Sequence, residues 1–148
     1  MIFNRLPEFE KELKRLAKKW RSLSEDVRKA EIVIKSLYVD IPGFNRDEAR
    51  ANLFTGKRAA ILKQDSNYEA VKMRLDCTSL GSKDALRLVF TYVYSGETCT
   101  LVELFSKTDK AREDSIRLQV YIDSLPKPKL QTPPPEDADC NNSREQFS

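Results

Sequence analysis

Four cations set in strand-like segments are the residues best placed to do chemistry. Lys72 and Arg74 stand two apart in Tyr68 to Cys77, where apolar and polar residues alternate. A period of two points Val71, Met73, Leu75 and Cys77 one way, and Tyr68, Lys72, Arg74 and Asp76 the other. Arg87 opens the next strand-like run, and Lys107 closes the one after it, on the same face as Phe105 and Glu103. If these strands are neighbours, four cations and two aromatic rings gather on one surface. Guanidinium groups grip phosphate through two donors, ammonium groups act as point charges, and aromatic faces stack on unpaired bases. A lysine crowded by cations can also accept a proton, while nearby arginines stabilise a phosphorane-like transition state. Alternation puts Arg87 beside Val89, so whether it joins the group depends on strand register, which the sequence leaves open. Solvated cations on an outer sheet face are the plain alternative.

Other chemistries are poorly supplied. None of the 148 residues is histidine, which removes the commonest general base and zinc ligand and every Ser-His or Cys-His pair. Cys77, Cys99 and Cys140 are odd in number with no CxxC, so neither a disulfide framework nor a zinc ribbon is expected, and a reducing cytoplasm is the natural compartment. Cys77 and Cys99 sit in strand patterns and read as small buried hydrophobes. The carboxylates Asp76, Glu103 and Asp109 are scattered, and Gly56-Lys57 lacks the upstream glycine of a phosphate loop. No cofactor and no metal are expected. The longest apolar run, Leu86 to Tyr94, contains Arg87 and is too short to cross a membrane, and the N-terminus lacks the order of a secretion signal. Net charge is +3, unevenly spread: residues 1–21 hold seven Lys or Arg against three Glu, and residues 126–148 three basic against four acidic residues. A basic folded part favours a polyanion partner.

The elements that must position these residues follow from periodicity. Met1 to Phe3 can form a short strand closed by Pro7. Phe9, Leu13, Leu16 and Trp20 make one apolar stripe on a helix from Glu8 to Arg21, with Lys11, Lys14, Lys18 and Lys19 opposite. Ser22 followed by Glu25 is a capping-box pattern that restarts a helix, with Val27, Ala30, Ile34 and Leu37 at helical spacing. So short a joint implies an antiparallel helical hairpin, ended at Ile41-Pro42-Gly43. Asn45 to Gly56 reads as a loop or insertion with a helical turn near Asp47 to Leu53. Strands are expected at Arg58 to Leu62, Tyr68 to Cys77, Leu86 to Tyr94 and, after a Ser95-Gly96 turn, Thr98 to Phe105. Thr108 or Asp109 can cap a final helix reaching Leu125 through Ile116, Val120 and Tyr121. Five of the seven prolines follow Leu125, so residues 126–148 read as a disordered Pro-rich tail behind a 1–125 domain. The expected class is α+β, an N-terminal helical hairpin packed on one face of a three- to four-stranded antiparallel sheet, with a C-terminal helix.

Several segments, in order, resemble the RelE/ParE superfamily of toxins from bacterial type II toxin–antitoxin systems, in its RelE-like branch. The run Phe9-Glu10-Lys11-Glu12-Leu13-Lys14-Arg15-Leu16-Ala17-Lys18-Lys19-Trp20-Arg21-Ser22-Leu23, then Asp26-Val27, is similar to the family's opening. Val71-Lys72-Met73-Arg74-Leu75, Arg87-Leu88-Val89-Phe90 with Tyr92, and Leu104-Phe105-Ser106-Lys107-Thr108-Asp109-Lys110 resemble its "KxR", "GKSGGYRxIYY" and "IYSKSDK" stretches. The resemblance implies a RelE-like fold and a ribosome-dependent mRNA endonuclease that inhibits translation without metal, a ribose 2′-hydroxyl attacking the adjacent phosphate. It implies catalytic roles for Lys72, Arg74, Arg87 and Lys107: Lys72 as base or phosphate contact, the arginines for transition-state charge, Lys107 for positioning. Lys83, loosely matched, with Phe105 and Tyr68, would bind substrate. A cognate antitoxin, the ribosome and mRNA are the implied partners. Phe105 stands where the family usually has tyrosine, and the glycine pair of "GKSGG" is replaced by Asp84-Ala85. These departures keep a second reading open, an interaction protein without nuclease activity, such as a gyrase inhibitor or a degenerate toxin.

Overall fold

The computed structural model describes residues 1–80 and 85–126; Lys83, Cys140 and the Pro-rich segment 127–148 lie outside the described residues. The class is α+β, with four α-helices and five strands among the described residues. Strand β1 (Ile2–Arg5) leads into α1 (Pro7–Ala17), which takes Pro7 into its first turn, Glu8 and Glu10 at its positive end and Lys14 and Arg15 in its last turn. It stops one turn earlier than its apolar stripe suggests. Helix α2 (Leu23–Tyr38) follows, burying Val27, Ala30, Ile34 and Leu37 as spaced. The capping box is not formed, because Ser22 is itself in a helical conformation. Its hydroxyl donates to Asp26 at 2.7 Å and accepts from the Ser79 amide at 2.8 Å.

Most of the segment 45–56 is helical rather than a loop. In α3 (Arg46–Thr55) the Asn45 side chain accepts from the Glu48 amide, and Asp47 and Glu48 occupy the first turn. Those local signals outweigh the weak apolar period, and none of the helix's residues is fully buried. Then come β2 (Ala59–Gln64), β3 (Tyr68–Leu75), β4 (Leu86–Val93) and β5 (Thr98–Ser106), and α4 (Ser115–Asp123) closes the described chain. The last helix begins later than expected, capped by Asp114, whose side chain accepts from the Arg117 amide.

The sheet has five strands in the order β1-β5-β4-β3-β2. It is mixed, not antiparallel throughout, because β1 returns along the edge of β5 in the parallel sense. β1 covers only Thr98 to Leu101 of that edge. Beyond it the Leu104 amide donates to Glu12 and the Val102 carbonyl accepts from Arg117, so side chains close a ladder that backbone leaves open.

Helices lie on both faces rather than one. Phe9, Leu13 and Leu16 of α1 and Val27, Ala30 and Ile34 of α2 share one core with Val71, Met73, Leu88, Phe90, Leu101 and Leu104 of the sheet. On the other face Leu118 of α4 packs with Tyr68, Ala70, Val89, Val102 and Phe105. Of the three residues expected to anchor α4, Tyr121 packs inward, together with Leu118 and Ile122, whereas Ile116 and Val120 are exposed. A bulge on β5 lets Val102 and Glu103 both oppose Val89, switching the alternation so that Phe105 and Glu103 share the α4 side with Lys72 and Arg87. No helix among the described residues is long and apolar enough to cross a membrane.

Candidate phosphate-binding site

Register, which alternation alone leaves open, decides the grouping. Arg74 pairs with Arg87 across β3 and β4, and Arg87 with Phe105 across β4 and β5. The Arg74 amide donates to the Arg58 carbonyl at 2.8 Å, which extends the β2–β3 ladder by one residue. Three arginines therefore stand in a row on adjacent strand ends, about 4.8 Å from strand to strand. They open onto a cleft of about 320 Å³ lined by Phe54, Lys57, Arg58, Lys72, Arg74 and Arg87, together with Ala59, Ala60 and Met73. Five of these residues are cations and none is a carboxylate.

The cations are not all unopposed. Lys72 donates to Glu113 at 2.8 Å, with both side chains largely shielded from solvent. Burial pushes the Glu113 carboxyl up, but the Lys72 hydrogen bond, its backbone contact and the charges of Lys72 and Arg112 outweigh that and leave it below its ordinary value. Glu113 is therefore a carboxylate at neutral pH, and Lys72 faces it as a donor. The Lys72 ammonium is thus held in an ion pair at the edge of the cleft. Arg58 pairs at 2.8 Å with Asp76, whose side chain is almost fully exposed, so a competing anion can displace that contact at small cost. Arg87 donates to the Leu86 carbonyl, and neither Arg74 nor Arg87 is without a partner.

Other expected site residues fall elsewhere. Lys107 lies in the turn after β5, exposed, at the same end of the sheet as the arginines, but it does not line the cleft. Phe105 is 2% exposed and packed in the α4-side core, so its ring is not offered to a base. Tyr68 is in the same core at the far end of β3, six residues or about 20 Å from Arg74. Conversely, Lys57, Arg58 and Glu113 belong to this region although no sequence pattern marks them. The first two precede a strand, where a cation usually signifies nothing, and Glu113 is 41 residues from the lysine it meets.

A cluster around Asp26 holds the neighbouring segment. Its buried carboxylate accepts from Ser22 Oγ, from the Thr78 amide at 3.0 Å and from Thr78 Oγ1 at 3.2 Å. Burial raises its pKa, these donors together lower it by more, and the net shift is downward. The result ties the start of α2 to the end of the β3 hairpin arm beside the arginine row. Asp26, Arg58, Met73 and Arg74 also line an adjoining cleft of about 470 Å³.

A third cleft, lined by Tyr38, Arg46, Asp47, Arg50, Tyr92 and Tyr94, covers the buried carboxylate of Glu69. Tyr38 and Tyr94 donate to Glu69, and Arg50 reaches both its oxygens at 3.0 and 3.1 Å. Burial first, then Glu69, pushes the Tyr38 phenol well above its ordinary value, so it stays a donor. The Tyr38 and Tyr94 hydroxyls and Arg50 Nη2 are committed to Glu69, whereas Arg50 Nη1 is buried without a hydrogen-bond partner, and Glu69 is five residues along β3 from Arg74. Among the described residues no group of three or more acidic or cysteine side chains is gathered as a metal site would need. No family model matches the chain, and neither a curated protein nor a solved structure is significantly similar to it.

Proposed function

We propose that this chain is the toxin of a type II toxin–antitoxin pair, a ribosome-dependent mRNA endonuclease of the cytoplasm with α1 and α2 as the helical hairpin of a RelE-like fold. The observation that carries the reading is the convergence of Lys72, Arg74 and Arg87, from two strands, on one open cleft lined by cations. In the proposed reaction the ribose 2′-oxygen bonds to the adjacent phosphorus while the 5′-oxygen of the next nucleotide leaves. The 2′ proton passes to solvent or to a group of the ribosome, and the leaving oxygen takes one up. The two guanidinium groups hold the phosphate and the charge that grows on it, and the Lys72 ammonium supplies a further donor. No carboxylate is among the described residues that line the cleft, which gives a physical reason for ribosome dependence: the chain supplies affinity and charge, and the ribosome must supply alignment. An antitoxin with an acidic segment would neutralise the same cleft.

A second reading, an interaction protein without nuclease activity, is favoured by the burial of Phe105 and the pairing of Lys72 with Glu113. Mapping mRNA 5′ ends on translating ribosomes after induced expression separates the two. The nuclease reading expects codon-phased ends that disappear in Arg74→Ala and Arg87→Ala. Growth arrest with intact mRNA would overturn it in favour of the second.

A further inference from the structure

Helix α3 ends in a way its sequence does not favour. The Arg58 amide donates to the Leu53 carbonyl at 3.1 Å and the Lys57 amide to the Phe54 carbonyl at 3.3 Å. These are the two bonds of a Schellman motif, which puts Lys57 at the position that must be left-handed, and its φ is +61°. Glycine is the usual occupant because a Cβ is disfavoured there. Gly56 stands one residue too early to serve, with an ordinary φ. A lysine thus holds a strained backbone position at the rim of the cleft, facing the same space as Arg58, Lys72, Arg74 and Arg87. Two explanations compete. Lysine near a helix C-terminus complements the dipole, which is a stability role. Strain retained where glycine would fit better is also the mark of a side chain kept for binding.

We infer that Lys57 and Arg58 form a second phosphate subsite of this cleft, gripping the backbone of single-stranded RNA beside the phosphate held by Arg74 and Arg87. The inference rests on the proposed nuclease function and extends it to residues from the α3–β2 joint. Arg58 is available because its partner Asp76 is solvent-exposed. Phe54, on the last turn of the same helix, lines the cleft between them and the strands.

The test is binding of a labelled oligouridylate of about a dozen nucleotides to the full chain, titrated across salt concentrations. On single-stranded RNA, removing one cation that neutralises a phosphate reduces the slope of log affinity against log salt by about 0.7. Lys57→Gly is expected to raise Tm by about 3 °C, since glycine relieves the strain. It is also expected to weaken RNA binding about tenfold and reduce the slope by about 0.7. Arg58→Gln should weaken binding and reduce the slope similarly, and Lys57→Arg should keep both. A Lys57→Gly protein with unchanged affinity and slope would overturn the inference and leave the proposed function standing. Wild-type protein with no salt-dependent RNA binding would overturn both.

Discussion

Replacing Glu113 with glutamine removes a negative charge at the edge of the cationic cleft and frees the Lys72 ammonium. The side chains are 27% and 17% exposed and their N–O distance is 2.8 Å, so the pair is shielded more than a surface contact and less than a core one. Unit charges about 4 Å apart interact by about 4 kcal/mol at an effective dielectric constant of 20 and about 1 kcal/mol in water. Solvent access and the entropy of fixing a lysine leave a net destabilisation of about 1 kcal/mol for Glu113→Gln, or about 3 °C in Tm. RNA affinity should move the other way, rising about tenfold with a salt slope steeper by about 0.7. The pH dependence has a definite sign. The folded-state pKa of Glu113 is depressed, so its contribution is complete above the ordinary value of 4.5 and disappears as pH falls through the folded value. The Tm difference between wild type and Glu113→Gln should therefore be flat above pH 4.5 and close below it. Melting curves over that range, with anisotropy titrations of labelled RNA, provide both measurements. Equal or weaker RNA binding by a folded Glu113→Gln protein would refute the assignment of Lys72 as a phosphate contact.

Two further outcomes follow from buried groups. Asp26→Ala should lower stability by about 2–3 kcal/mol in denaturant titrations, because Ser22 and Thr78 are left without their acceptor inside the fold. Its folded pKa is also depressed, so wild-type stability should decline as pH drops below about 4 and the variant should lack that component. Phe105→Tyr should destabilise by about 1–3 kcal/mol without raising RNA cleavage, since its hydroxyl would enter an apolar core; gain of cleavage in that variant would contradict the placement of the ring.

Where sequence and structure agree, the signal is long-range apolar periodicity. Val71, Met73 and Leu75 against Lys72 and Arg74 can be assigned to opposite faces because a strand permits only two. The stripe of α1 packs as spaced for Phe9, Leu13 and Leu16, and its last member Trp20, although beyond the helix end, packs partly buried against the same core. Helix α3 escapes the periodicity because its determinants are polar and local, an Asn45 cap and an acidic first turn, with little apolar face to mark it. The site is legible to the extent that it depends on alternation within one strand. Pairing Arg74 with Arg87 needs the register, and Phe105 turns inward because α4 covers that face, a fact no strand pattern contains. Lys57 and Glu113 become visible only through a backbone torsion and a contact spanning many residues.

On the proposed function, RNA phosphates sit among the cations at one end of the sheet. Amide chemical-shift mapping with a short oligouridylate tests it most directly. Lys57, Arg58, Lys72, Arg74 and Arg87 are expected to shift together while Tyr38, Arg50 and Tyr94 do not. Shifts confined to the tyrosine-lined cleft, or absent altogether, would contradict it.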